Sequence, residues 1–103
     1  MPGPRLTTSV LKIMAAMLAE PDAEHYGLQL MQETGLPSGT LYPILVRLER
    51  AGWVMSRWEE ADPVYEGRPN RRYYRLTAEG AAAVRDEVAQ IHAQMARAIQ
   101  RPA

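Results

Sequence analysis

Between Val10 and Ala19 the chain is apolar at every position except Lys12. A helix with one buried face shows an apolar stripe, whereas one that is apolar nearly all round is covered on more than one side. Thr7, Thr8 or Ser9 can cap such a helix, which is expected to run to about Glu20. In so short a chain the second covering surface is expected to be another chain; a plain central core helix is the alternative. Pro21-Asp22 breaks the pattern. A second helix fits about His25 to Thr34, with Tyr26, Leu30 and Met31 inward, and Gly35 stands where a glycine closes a helix. After the turn Leu36-Pro37, Ser38 is placed to cap a third helix running to about Ala51. Leu41, Leu45 and Leu48 follow i, i+4, i+7, so one face of that helix is buried. Gly52 stops it.

A strand-like stretch, Trp53 to Glu59, comes next. Residues 60–70 (EADPVYEGRPN) carry two prolines, a glycine and three acids, which predicts a loop. Arg71 to Leu76 (RRYYRL) predicts a returning strand, its side chains alternating between faces. Thr77 can cap a last helix running to about Gln100, with Glu79 at its positive end and Arg97 and Arg101 at its negative end. Val84, Val88, Ile91, Met95 and Ala98 are spaced 4, 3, 4, 3 along it, a heptad-like seam. Two helices joined by a short turn form a helix-turn-helix, and the hairpin after them forms a wing. The expected fold is therefore mainly α with a small β-hairpin: a winged helix-turn-helix with an added C-terminal dimerisation helix. The segments are a flexible N-terminal arm over 1–8, the winged domain over 9–76 and the dimerisation helix over 77–101.

The 103 residues suffice for one core, and an apolar content of 47% suits a folded domain. The chain has no cysteine, which excludes disulfides, thiolate metal sites and cysteine catalysis. No apolar run approaches the ~20 residues of a membrane span. Met1-Pro2-Gly3-Pro4-Arg5 lacks a charged-then-apolar export pattern, so a cytoplasmic, nucleoid-associated protein is expected. Twelve basic and twelve acidic residues cancel, so any case for a nucleic-acid partner lies in where the charges sit. Glu20, Asp22, Glu24 and Glu33 form an acidic stretch without Lys or Arg. Arg68, Arg71, Arg72 and Arg75 form a basic stretch without acids.

With its leucines inward, the third helix projects Ser38, Thr40, Tyr42, Pro43 and Arg47 elsewhere. Small residues at its start allow close approach to a duplex, and the free N–H groups there can meet phosphate. Ser and Thr bond to phosphate or base edges, and Arg can take guanine bidentately. Pro43 lacks an N–H inside the helix and is expected to cost a few kcal/mol there unless the first turn is irregular. For Tyr42 the competing reading is a partly buried ring. At the hairpin tip, Gly67 and Pro69 hold Arg68 on a narrow loop, from which it can enter a minor groove. Arg71 and Arg72 can bond phosphates. The competing reading is a solvated loop whose arginines pair with Glu59, Glu60 or Glu66. Enzyme chemistry has little support. His25 and His92 lie on different helices without metal-ligand spacing, His25 reading as a surface or helix-start residue and His92 as solvent-facing beside the seam. Ser38 has no neighbouring base, and the glycines match no phosphate-binding fingerprint. No cofactor is expected.

Tyr26-Gly27, the run Leu36-Pro37-Ser38-Gly39-Thr40-Leu41-Tyr42-Pro43-Ile44-Leu45 with Arg47-Leu48-Glu49 and Gly52, then Trp58-Glu59-Glu60, Gly67-Arg68-Pro69 and Arg72-Tyr73-Tyr74-Arg75-Leu76-Thr77 with Glu79-Gly80, resemble the PadR-like family of transcriptional regulators. The likeness covers roughly residues 9–90, and the combination of GTLYPIL, GRP and YYRLT is specific. It implies a dimeric winged-helix DNA-binding protein, usually a repressor, paired through its first and last helices. Some members respond to small aromatic or drug-like ligands. Carried over, Ser38, Gly39, Thr40, Tyr42, Pro43 and Arg47 would face the operator, and Gly67, Arg68 and Pro69 would lie in the wing. The chain departs from the pattern in a wing lengthened through Asp62-Pro63-Val64-Tyr65, in Trp53 where an aliphatic residue is common, and in a short alanine-rich last helix without Trp.

The expected mechanism is a homodimer joined by Val10, Leu11, Met14 and Leu18 of the first helices and Val84, Val88, Ile91 and Met95 of the last. Two third helices would then meet successive major grooves about 34–36 Å apart, on an inverted-repeat operator. Binding would repress by occluding polymerase. A small hydrophobic effector is a further expectation, with Met14, Met17, Met95 and Trp53 as lining residues; ordinary packing is the alternative. The rival reading of the whole chain is a winged-helix protein-interaction module that does not bind DNA specifically.

Overall fold

In the computed structural model, residues 3–100 are described, and the residues below are drawn from these. Met1, Pro2 and Arg101, on which the expected arm and last helix end partly rest, lie outside them. The elements follow one another as α1 (Thr8–Leu18), β1 (His25–Tyr26), α2 (Gly27–Thr34), α3 (Ser38–Arg50), β2 (Val54–Trp58), α4 (Pro63–Glu66), β3 (Arg72–Leu76) and α5 (Ala78–Gln100). Their order gives the helix-turn-helix and wing expected from the patterning.

The core explains the order. Val10, Ile13, Met14 and Met17 of α1 meet Leu30 of α2 and Leu41, Ile44, Leu45 and Leu48 of α3; Val54, Tyr74 and Leu76 of the sheet close one side, and Ala81 and Val84 of α5 complete the cluster. Ile44 fills the gap between the leucines that the i, i+4, i+7 spacing picks out. Val10, Met14 and Val84 are thus buried in their own chain. This corrects their expected place at a pairing surface, as it corrects Met14 and Met17 as effector-lining residues.

Caps set the ends. The Thr7 hydroxyl accepts from the Val10 N–H, so Thr7 is the cap of α1. Gly35 takes the left-handed conformation, φ 74°, that closes α2. Thr77 Oγ1 accepts from the Gly80 N–H at 3.0 Å and donates to the Gly52 carbonyl at 2.7 Å, tying the start of α5 to the end of α3. The cap of α3 is Pro37, not Ser38, which is the first helical residue and makes no cap bond. Pro43 sits inside α3 without breaking it.

Two local expectations are corrected. His25 and Tyr26 are not helical. They form a two-residue strand opposite Tyr74 and Tyr73, which extends the hairpin to a three-stranded antiparallel sheet of order β1-β3-β2. His25 is accordingly buried, its Nε2 3.4 Å from the Glu20 carbonyl oxygen, and is no surface residue. The loop 60–70 carries one helical turn, α4, because Asp62 caps it, Pro63 suits its first position and Gly67 ends it at φ 70°.

At the root of α5, Gly80 lies so close to the Trp53 main chain that an added Cβ would overlap the Trp53 carbonyl. Beyond Val84, α5 stands clear of its own protomer, with Val88, Ile91, Met95 and Ile99 exposed along it. Two glycine substitutions should therefore have opposite effects. Gly80→Ala is expected to cost about 1–3 kcal/mol by forcing α5 off Trp53. Gly39→Ala, which meets only open space on α3, should gain roughly 0.5–1 kcal/mol from lost unfolded-state freedom. Urea denaturation of both variants checks the pair.

Candidate nucleic-acid interface

The buried residues of α3 leave a complementary face. At about 100° per residue, the line opposite Leu41, Ile44, Leu45 and Leu48 passes through Gly39, Pro43, Val46 and Arg50, all exposed. Arg47 lies about 70° to one side of that line and Tyr42 about 70° to the other, both exposed; Ser38, exposed in the first turn, is about 110° away, and Thr40 is half-buried. Of the α3 residues read from the sequence, Gly39, Pro43 and Arg47 thus share one surface. Val46 and Arg50 escaped that reading. Both follow from Gly39 and Pro43 by steps of three and four, so the same helical count that found the leucines identifies them. Val46 adds an apolar methyl pair suited to a thymine methyl, and Arg50 a second cation beside Arg47.

Tyr42 stands at the edge of this face. It keeps 41% of its surface, while its hydroxyl end lies against Gly27 so closely that any Cβ there would collide with it. A glycine at the start of α2 is what lets the ring lie between the two helices.

The wing is tied to α3. Ser56 Oγ of β2 donates to Glu49 of α3 and accepts from Arg72 Nη2 of β3 at 2.7 Å. Arg72 reaches Glu49 at 3.7 Å and lies over the Trp58 ring at 5.1 Å. On the outer face of the sheet, Arg71 lies 4.1 Å over the Tyr26 ring, Tyr26 meets Tyr73 edge-on, and Arg57 covers Tyr73 while holding Glu24 bidentately at 2.6 and 2.8 Å. The Arg57 side chain holds the Glu24 carboxyl below its ordinary range.

Of the two readings of Arg68, a groove contact or a pair with a loop acid, the structure has the pair. The Arg68 guanidinium grips Glu59 through Nη1 at 2.7 Å and Nη2 at 3.1 Å. That pair, helped by the Arg71 backbone N–H and the Tyr73 hydroxyl, holds Glu59 down to about 2. Arg71 and Arg72 are likewise stacked on rings, and Gly67 and Pro69 remain exposed beside Arg68. Of the wing arginines, only Arg68 pairs with one of the three acids of the competing reading; Arg72 approaches Glu49, and Arg71 lies on Tyr26. Val64 and Tyr65 on α4 are exposed at the wing tip, flanked by Asp62 and Glu66.

A cleft of about 970 Å³ runs behind the exposed face, lined among others by Arg5, Ile44, Arg47, Arg50, Trp53 and Glu79. Trp53 is the one expected effector-lining residue found there; Met95 lies exposed on α5. Among the described residues no three His, Asp or Glu side chains gather as a cation site, and no helix is long and apolar enough to cross a membrane.

The architecture has solved counterparts. The chain is similar to a PadR-like transcription factor from Bacteroides fragilis, with 22% identity over 86% of each chain and a TM-score of 0.65. It is similar to AbfR of Staphylococcus epidermidis, with 21% identity over 95% of this chain and 61% of that one and a TM-score of 0.70. A PadR-like transcriptional regulator from Bacillus cereus matches with 19% identity over 90% of this chain and 94% of that one, at a TM-score of 0.63. These likenesses bear on the fold. No curated protein is significantly similar. Residues 16–86 match the transcriptional regulator PadR-like family, and the chain, with its helix-turn-helix, wing and long last helix, belongs to that family.

Proposed function

We propose that the protein is a homodimeric, sequence-specific DNA-binding repressor whose two α3 helices read an inverted-repeat operator. The observation that carries this reading is the exposed face of α3, where Gly39, Pro43, Val46, Arg47 and Arg50 share one uncovered surface. Small residues at the start of that face let the main chain approach a groove, and the two arginines supply bidentate donors at its far end. A protein-docking face would offer a continuous apolar patch. Here Val46 has only Pro43 and the edge of Tyr42 as apolar neighbours, and Gly39, Arg47 and Arg50 make up the rest of the face.

The dimer in this proposal is built from what the monomer leaves open. Val88, Ile91, Met95 and Ile99 form an exposed apolar stripe on α5. Leu11 and Leu18 are half-buried on α1 and share its outward side with Ala15. Pairing these surfaces about a two-fold axis would present two α3 helices to successive major grooves, about 34–36 Å apart. Repression follows by occlusion of the promoter. In the same proposal a small hydrophobic effector shifts the angle between the two halves, and the cleft beside Trp53, Arg47 and Arg50 is where it would act.

Arg47→Ala is expected to weaken binding to the operator by about 1–3 kcal/mol while weakening binding to random duplex far less. Fluorescence anisotropy with duplexes from the promoter of its own gene and from scrambled sequence checks this; equal losses on both would deny Arg47 a base-reading role. Val88→Asp combined with Ile91→Asp alters only positions exposed in the protomer. The variant should keep its helical circular dichroism, become monomeric by light scattering and lose operator binding. A variant that still scatters as a dimer would rule out the α5 stripe as the seam. A wild-type chain that binds no duplex at any salt would favour the protein-interaction module.

A further inference from the structure

Four donors converge on one carboxylate at the root of the wing. Glu59 Oε1 accepts from Arg68 Nη1 at 2.7 Å and from the Arg71 backbone N–H at 3.4 Å. Oε2 accepts from Arg68 Nη2 at 3.1 Å and from the Tyr73 hydroxyl at 3.2 Å. The Glu59 side chain keeps only 16% of its surface, and that of Arg68 32%. A guanidinium, a main-chain N–H and a tyrosine hydroxyl are the donor types that proteins turn toward DNA phosphate. Here they surround a single oxyanion, with the fork of the guanidinium matched to its two oxygens. The wing therefore contains a complete oxyanion cradle, and the chain fills it from within.

The charges around the cradle sharpen the point. Arg68 is the one cation on the loop between Ala61 and Asn70, and it sums to zero with Glu59. The neighbours Glu60, Asp62 and Glu66 are exposed acids. Left in this arrangement, the wing tip has no net positive charge to place against a duplex. Were Arg68 to turn to a phosphate, it would leave a bare carboxylate facing that same phosphate.

We propose that Glu59 is an internal mimic of a DNA phosphate, a residue that sets specificity by withholding the wing from sequence-independent binding. It occupies the cradle of Arg68, Arg71 N–H and Tyr73 in the free protein and competes there with the DNA backbone. The weight of recognition then falls on α3, whose contacts depend on sequence. This deepens the operator-binding reading and rests on it.

The test is a salt titration by fluorescence anisotropy of the full-length chain, on a duplex from the promoter of its own gene and on a scrambled duplex of equal length. Glu59→Gln keeps the shape of the side chain and frees Arg68. It is expected to tighten binding to both duplexes several-fold at low salt and to steepen the plot of log affinity against log salt by about 0.9 for each wing that gains a phosphate. Glu60→Gln removes the same charge one residue away, outside the cradle, and should move the slope clearly less. Arg68→Gln added to Glu59→Gln should return the slope to the wild-type value. Arg68→Gln alone should leave the slope at the wild-type value, because Glu59 already withholds the guanidinium; this variant decides the matter if Glu59→Gln fails to fold by circular dichroism, since a clearly shallower slope would show Arg68 meeting phosphate in the wild type and overturn the proposal. Unchanged or weaker binding by folded Glu59→Gln would overturn the proposal, since the carboxylate would then merely brace the wing. Equal effects of Glu59→Gln and Glu60→Gln would overturn it as well. Wild-type protein that binds neither duplex would sink the operator-binding reading itself, whereas wild-type binding with an unmoved Glu59→Gln slope would sink this inference alone.

Discussion

Burial of one side of α3 is the constraint on which the rest of the molecule depends. Leu41, Leu45 and Leu48 are wholly buried and Ile44 nearly so, against α1, α2 and the sheet. Each such side chain contributes roughly 1.5–3 kcal/mol when taken out of water, so rotating α3 by even one residue would expose far more than any surface contact could return. The outward face is therefore set by the inward one. Gly39, Pro43, Val46 and Arg50 are presented to solvent because the leucines cannot be.

Polar bonds extend that constraint into the wing. Glu49 leaves the side of α3, takes the Ser56 hydroxyl and approaches Arg72, while Arg72 also bonds Ser56 and lies on Trp58. The strands thus hold a set angle to the helix, and the hairpin behaves as part of the same body. Such partly exposed ion pairs add little stability singly; a network sharing Ser56 between two charged partners contributes geometry. The second cluster, around Glu59, works further out, where it governs which charges the loop tip shows.

Much of this was legible in the sequence, and the reasons differ by element. α1, α3 and α5 declare themselves because their apolar spacing is long and regular. The turn glycines Gly35 and Gly52 are legible because left-handed backbone favours them, and both have positive φ. β1 was not legible: two residues carry no periodicity, and His25 and Tyr26 pair with β3 only because the chain returns there fifty residues later. Nor was the one-turn α4, which the Pro-rich composition disguised as plain loop. On the exposed face of α3, residue types sufficed to single out Gly39, Pro43 and Arg47. Val46 was passed over because an apolar residue on a helix is first assumed to be buried. For Arg68 the sequence left two readings, a minor-groove contact or a pair with Glu59, Glu60 or Glu66, and only the fold shows that Glu59, nine residues away across the hairpin, takes it.

The attachment of α5 has a mechanical consequence. Its first turn is gripped by the Thr77 hydroxyl bonds and by the contact of Gly80 with the Trp53 main chain, directly after the end of α3. Ala81 and Val84 in the next turn are still buried in the core, and the sixteen residues beyond Val84, about 24 Å of helix, are exposed apart from Ala96. That makes the outer part of α5 a lever whose fulcrum adjoins the end of α3. A swing of about 10° at the fulcrum displaces the far end by about 4 Å over that length. In the proposed dimer, run backwards, a displacement of a few ångströms where two such rods would cross becomes a change of pitch between the two α3 helices, transmitted without unfolding anything in between.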